Sequence, residues 1–325
     1  MLPVMMDPIP PWPGELVDCA AQAFAPGIRT REIFVRSAPA AAGAEPVLFV
    51  HGLGGSSLNW TDLMGLLAQP PATAQAGPEL ACEAMDLPGF GRSPAPADGD
   101  YSVSAHAAAV IALISQRGNW PVHLAGNSLG GAVCTRVAGR RPDLVRTLTL
   151  VSPALPDWRP RLHPLRLAVL CSPGLGTWLM NGVERLPAEA RSARTIRDVY
   201  RDPSLLHPKR RLEEAAELAR RDALGYANEA LISSARGLVA EYARRGAGSL
   251  WRDAARVTAP TLVIHGSHDK LVNPATSSRA ARVFGNARVV VLPRLGHVAM
   301  MERPDLVARE MRELIAANSS VTAAR

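Results

Sequence analysis

The sequence predicts an α/β fold: a mostly parallel central sheet flanked by helices, with a helical segment inserted late in the chain. Three observations predict it. Strand-like and helix-like segments alternate from residue 46 to residue 151, as they do when each strand is followed by a helix crossing back over the sheet. The alternation stops between Ser152 and Arg256, where the pattern is helical and rich in arginine. It resumes from residue 260 to residue 317.

Taken in order, residues 1–27 are rich in proline and carry Leu16, Val17, Ala20 and Phe24 at the spacing of one face of a short helix. This predicts an N-terminal extension ahead of a core formed by 28–152 and 257–325. REIFVR (31–36) reads as a strand, and SAPAAAGAEP (37–46) as a loop made by its prolines and glycine. PVLFV (46–50) is a continuous apolar run, expected of a strand buried on both faces. Helix-like 57–69 then precedes strand-like LACEAMD (80–86), and helix-like 103–116 precedes PVHLAG (121–126). LGGAVCTRVAGR (129–140) reads as a helix and VRTLTLV (145–151) as a strand. The segment 153–256 is punctuated by Pro153, Pro156, Pro160, Pro164 and Pro173, and reads as an inserted helical cap. Within it, LAVLCSPGLGTWLM (167–180) is apolar and uncharged, which fits a packing face on the core or the lining of a hydrophobic pocket. PTLVIHG (260–266) and ARVVVLP (287–293) are the last strands, each followed by a helix (275–284 and 305–317).

Composition bounds the function. At 47% hydrophobic and 20% charged, the 325 residues can build a sizeable core rather than a disordered chain. A net charge of +7 raises the question of nucleic acid, but stretches such as RRLEEAAELARRD (210–222) mix both signs as a solvated helix face does, and no aromatic-basic binding motif is present. The four cysteines lack zinc-site spacing, and reduced thiols in a cytoplasmic protein fit them best. The N-terminal prolines argue against a signal peptide, and no apolar run reaches the roughly 20 residues of an integral membrane segment.

In an open parallel sheet the ligand crevice lies at the carboxyl ends of the strands, and four such loops carry chemistry. Gly126-Asn127-Ser128-Leu129-Gly130 is a G-x-S-x-G sequence between a strand and a helix. A serine on so sharp a turn needs glycines, because neighbouring backbones come too close for side chains. LFVHGLGGSS (48–57) is a glycine-rich turn able to aim backbone N–H groups into the crevice. Leu53 and Leu129 are the expected N–H donors to an oxyanion, while His51 fits a structural histidine bonded to loop backbone. HGSHDKLVNP (265–274) puts Asp269 just past a strand, and LPRLGHVAMMERP (292–304) puts His297 past the next. A serine nucleophile needs a base, and the base needs a buried carboxylate to hold its tautomer. Ser128, Asp269 and His297 occur in the chain order expected for such a sheet. Asp157 is a rival acid, and His265, His268 and Asp269 match no metal-site spacing, so neither a metal nor a cofactor is expected.

HGLGG, DLPGFGRS (86–93), GNSLGG, GSHDKLV and LGHVAMMERP, in this order, resemble the α/β-hydrolase superfamily, with a cap between the sixth and seventh strands. The likeness runs from about residue 30 to 318. It implies an α/β-hydrolase fold, a Ser128–His297–Asp269 triad, the amides of Leu53 and Leu129 as oxyanion hole, and a structural role for Asp86. Serine argues against the relatives with an aspartate nucleophile, haloalkane dehalogenases and epoxide hydrolases. The leading expectation is therefore a serine hydrolase, carboxylesterase-like or lipase-like, that cleaves a small to medium hydrophobic ester through an acyl-enzyme. Asn127, Trp178 and Val298 are the expected substrate contacts. Carbon–carbon bond hydrolysis is the alternative, since GNS, an apolar residue and GG are similar to the meta-cleavage product hydrolases. Val298 stands where that family usually has tryptophan, however, and HGLGGSS lacks its HGxGPG proline. Amide, lactone or perhydrolase chemistry, or a small-molecule receptor on the same fold, are further readings, and the oligomeric state stays open.

Overall fold

A computed structural model describes residues 8–19, 32–71, 73, 77–118, 121–157, 171–172, 182 and 185–319. In chain order its elements are β1 (Gly14–Asp18), β2 (Glu32–Ser37), β3 (Glu45–Val50), α1 (Thr61–Leu67), β4 (Leu80–Met85), α2 (Val103–Arg117), β5 (Val122–Asn127), α3 (Leu129–Arg140) and β6 (Val145–Val151). Between β6 and the next strand come α4 (Ala188–Val199), α5 (Pro208–Asp222), α6 (Ala227–Ala243) and α7 (Leu250–Arg256). The chain ends with β7 (Thr261–Gly266), α8 (Thr276–Val283), β8 (Ala287–Leu292), α9 (Ala299–Glu302) and α10 (Pro304–Ala316).

The strands form one 8-stranded sheet in the order β1-β2-β4-β3-β5-β6-β7-β8. From β4 to β8 every pairing is parallel, and β2 joins β4 antiparallel. Alternation along β3 sends Leu48 and Val50 into one apolar cluster, with α2, α3, α7 and α8, and Val47 and Phe49 into the other, with α1 and α10. Burial on both faces is the physical reason the run 46–50 is apolar throughout.

One expectation fails at the N-terminus. Leu16 and Val17 lie not on a helix but on β1, which pairs antiparallel with β2 at the sheet edge, so the sheet begins well before residue 28. Val17 faces the core and Leu16 is 52% exposed, the alternation of an edge strand; Ala20 and Phe24 lie outside the described residues. Ahead of β1, residues 8–13 run as a strap across α1, with the Trp12 indole N–H donating to Thr61 O at 3.1 Å. Arg210 of α5 reaches the same place, donating to Ile9 O at 2.5 Å and pairing with both oxygens of Asp62 in α1.

Helices α4 to α6 straddle the two faces. Ile196 of α4 and Tyr200 just after it join the cluster of α1 and α10, whereas Ala230 and Leu238 of α6 join that of α2 and α3. The segment is tied to the core by a fully buried charge network. Arg136 of α3 donates to both carboxylate oxygens of Glu241 in α6, at 2.8 Å each, and to Asp253 in α7 at 2.9 Å. Burial opposes the guanidinium charge, and the two carboxylates outweigh it, so the Arg136 pKa is raised rather than lowered. Among the described residues no helix is long and apolar enough to cross a membrane.

Candidate active site

Ser128 stands between β5 and α3 with φ 52° and ψ −114°, a left-handed backbone that a non-glycine residue rarely adopts. Its N–H donates to Val151 O at 3.1 Å, and its carbonyl accepts from Ala132 and Ala154, so the strained turn is held from three sides. The flanking glycines are required by close approach. A Cβ on Gly126 would stand 2.4 Å from Gly130 O, and one on Gly130 would stand 2.2 Å from Val50 O. Such contacts let α3 start directly beside the end of β3, with its N-terminal dipole at Ser128.

His297 and Asp269 meet. The His297 Nδ1–H donates to Asp269 Oδ2 at 2.9 Å, and both residues are 4% exposed. Burial alone would push the Asp269 carboxyl up, but the His297 ring and N–H bonds from Leu271 and Val272 hold it below its ordinary value. The pair is joined to the serine turn through Asn127, whose Nδ2 donates to His297 O at 3.2 Å and to Val151 O at 3.0 Å. Asn127, expected at the substrate, thus has its amide N–H groups engaged in bracing the turn. Val298 is 7% exposed and packs in the apolar cluster of α1 and α10, and Trp178 lies outside the described residues.

The turn after β3 closes on the same point. A Cβ on Gly52 would lie 3.2 Å from the Ser128 Cβ, which puts the backbone entering Leu53 against the serine. Leu129 is the first residue of α3, where an N–H has no partner within the helix. His51 is structural: Leu87 N–H donates to its Nε2 at 2.9 Å, so Nδ1 carries the proton and donates to Gly52 O at 2.7 Å. Asp86 is a brace, its two carboxylate oxygens accepting Ser57 N–H at 2.6 Å and Arg92 N–H at 2.8 Å, and so locking the turns after β3 and β4 together. Asp269 is the carboxylate bonded to the His297 ring, and Asp157 accepts from Asn273 Nδ2 at 3.1 Å. Among the described residues no cluster of His, Cys, Asp and Glu is placed to hold a metal ion.

Two residues at these loops escaped the sequence reading. Arg221 of α5 donates to Gly54 O at 2.9 Å from 167 positions away, and no local pattern could have signalled it. Glu302 accepts from Gly296 N–H at 2.6 Å, beside His297. Its signal was legible in LGHVAMMERP, a carboxylate just over one helical turn past the histidine.

A family model described as alpha/beta hydrolase fold matches residues 45–304, most of the chain and every loop just described. The chain belongs to the alpha/beta hydrolase fold family. It is 30% identical over 272 residues to a dihydrolipoyllysine-residue acetyltransferase component of an acetoin cleaving system from Pseudomonas putida, with 83% of this chain and 63% of that protein covered. The chain therefore spans less than two thirds of that relative's length. It is 27% identical to Lipase 3 of a Moraxella species over 79% of this chain and 73% of the lipase. The solved structure of a meta-cleavage product hydrolase from Pseudomonas fluorescens IP01 superposes with a TM-score of 0.69, covering 91% of this chain and 98% of that one at 18% identity, a likeness of fold. Named lipases are among the proteins to which this chain is similar.

Proposed function

We propose that the protein is a serine hydrolase that cleaves a carboxylic ester of a small to medium hydrophobic substrate through an acyl-enzyme intermediate. The observation that carries this reading is the buried His297–Asp269 pair, bonded at 2.9 Å and tethered through Asn127 to a serine whose backbone is strained at φ 52°. With Nδ1–H given to Asp269, His297 Nε2 keeps the lone pair that a base requires. Ser128 Oγ attacks the ester carbonyl as Nε2 takes its proton. The oxyanion forms against the N–H groups of Leu53 and Leu129 and the N-terminus of α3. The tetrahedral intermediate collapses, the alcohol leaves with the proton from Nε2, and the acyl group stays on Ser128. Water then gives a proton to Nε2 as its oxygen attacks the acyl carbon, and the second tetrahedral intermediate collapses by breaking the bond to Ser128 Oγ, which takes the proton back from Nε2 as the carboxylic acid leaves. Asp269 stays ionised throughout, because its lowered pKa keeps it a carboxylate that stabilises the imidazolium.

In this reading the described helices α4 to α6 of the inserted segment form a cap over the site, while most of the apolar stretch 167–180 lies outside the described residues. Arg221 and Arg220 of α5, which donate to Gly54 O and Gly91 O, support it by joining the segment to the loops after β3 and β4. The named lipase among the relatives supports the ester as substrate class. The test is hydrolysis of p-nitrophenyl esters from acetate to palmitate, with Ser128→Ala beside the wild type. Turnover that falls by about 10⁴-fold or more in the variant is expected. A folded wild type that turns over no ester, or a Ser128→Ala protein as active as wild type, overturns it.

A further inference from the structure

One turn of the inserted segment, 199–202, is fastened to both loops that carry the acid–base pair. On the histidine side, His297 N–H donates to Val199 O at 2.8 Å. Glu302, 4% exposed, accepts Gly296 N–H through one oxygen at 2.6 Å and Arg201 N–H through the other at 3.0 Å. A Cβ on Gly296 would lie 2.6 Å from both Arg201 N and Val199 O, so the two segments are in contact along their backbones. On the acid side, Lys270 follows Asp269 directly and sends its Nζ to Arg197 O at 2.7 Å and Tyr200 O at 3.4 Å. These are carbonyls of the last turn of α4 and its cap, the groups a helix leaves without partners and where its dipole favours a cation.

We propose that the turn 199–202 is a positioning element for the His297–Asp269 pair, with Glu302 and Lys270 as the positioning residues that couple the inserted segment to it. The inference rests on reading that pair as the acid–base couple. Three backbone groups around His297 are fixed from three different elements: Gly296 N–H by Glu302, His297 N–H by Val199, and His297 O by Asn127. Imidazole orientation follows backbone placement, and a shift of about 1 Å in a reacting group costs about 10²-fold in rate. Glutamate suits the task because two N–H donors converge on one carboxylate. Glutamine at 302 would accept one of them and turn its own NH₂ against the other.

The test uses the whole protein and three variants: Glu302→Gln, Lys270→Met and Lys270→Arg. Two readouts are taken, kcat and KM on the best ester, and the low-field proton resonance of the His297 Nδ1–H bonded to Asp269. Glu302→Gln is expected to lower kcat by about 10- to 100-fold with KM changed less than about 2-fold, and to shift or broaden the resonance. Lys270→Met is expected to lower kcat by about 3- to 10-fold, and Lys270→Arg to restore it by supplying the same donor. A folded Glu302→Gln protein with wild-type kcat and resonance overturns the proposal. If that variant fails to fold, Lys270→Met decides, because Lys270 is exposed; wild-type kcat and resonance there overturn the proposal equally. The resonance is read without substrate, so a protein that hydrolyses no ester overturns the ester reading while the comparison of variants still judges the positioning.

Discussion

Ser128 is held in a conformation its own side chain disfavours. A non-glycine residue at φ 52° costs on the order of 1–3 kcal/mol, and that cost persists because β5, α3 and β6 hold the turn. Ser128→Gly is expected to gain about 1 kcal/mol of stability while ester turnover disappears, which thermal unfolding and the p-nitrophenyl assay check together. The neighbouring glycine behaves in the opposite way. Gly130→Ala drives a methyl to 2.2 Å from Val50 O and should lose about 3 kcal/mol or more, whereas Gly285→Ala, with open space around it, should stay within about 0.5 kcal/mol in urea titrations. Asp269→Asn should lower kcat by about 10³- to 10⁴-fold with the fold intact, because the amide presents either a wrong-tautomer partner or a donor to Nδ1. At this scale the pairing of Asp269 with His297 was legible from the sequence. Residue type and order alone pointed to Ser128, Asp269 and His297, and the pair Asp269–His297 is in hydrogen-bond contact. What escaped were Glu302, whose signal lies in LGHVAMMERP itself, and Arg221, whose partner Gly54 is 167 positions away and leaves no residue pattern.

Between residues and the molecule stand the elements, where α5 and α3 make contrasting use of charge. Burial holds the Glu214 carboxyl of α5 up at about 7 against an ordinary value near 4.5. A carboxyl raised on folding favours the folded state fully below its unfolded pKa and loses that contribution as pH rises through the folded one. Glu214→Gln should therefore match wild type in Tm at pH 4 and exceed it at pH 8, with the difference opening between about pH 4.5 and 7. Arg136 of α3 is the reverse case, a buried cation whose partners are all in place. Arg136→Met removes the buried bonds to Glu241 and Asp253, leaving them only the looser pairs with Arg244, Arg140 and Arg256 at 3.4–3.7 Å, and should cost about 3 kcal/mol in urea unfolding. Elements with strong periodicity were readable, as LGGAVCTRVAGR and VRTLTLV show by coinciding with α3 and β6. The N-terminal strand was misread because Leu16 and Val17 are adjacent in the sequence. A short edge strand with one buried position has too little alternation to separate it from a helix face, and its partner β2 supplies the deciding contacts.

On the scale of the whole molecule, strand order was the part hidden from the sequence. Alternating segments imply a parallel sheet, but the reversal that sets β4 on one side of β3 and β5 on the other appears once the strands are paired. That reversal brings the turns after β3 and β5 together, as the contact between Gly52 and Ser128 records. The Arg136 network bears on another matter, the exchange of parts between relatives. Enzyme engineers often transplant a segment such as α4–α6 to change what a scaffold accepts. Here a transplanted α6 would bring its own residue to position 241, and anything other than an acid would leave Arg136 buried with one of its two carboxylate partners gone. The graft would have to carry α3 and α7 with it, so the natural unit of recombination in this protein cuts across the boundary between insertion and sheet.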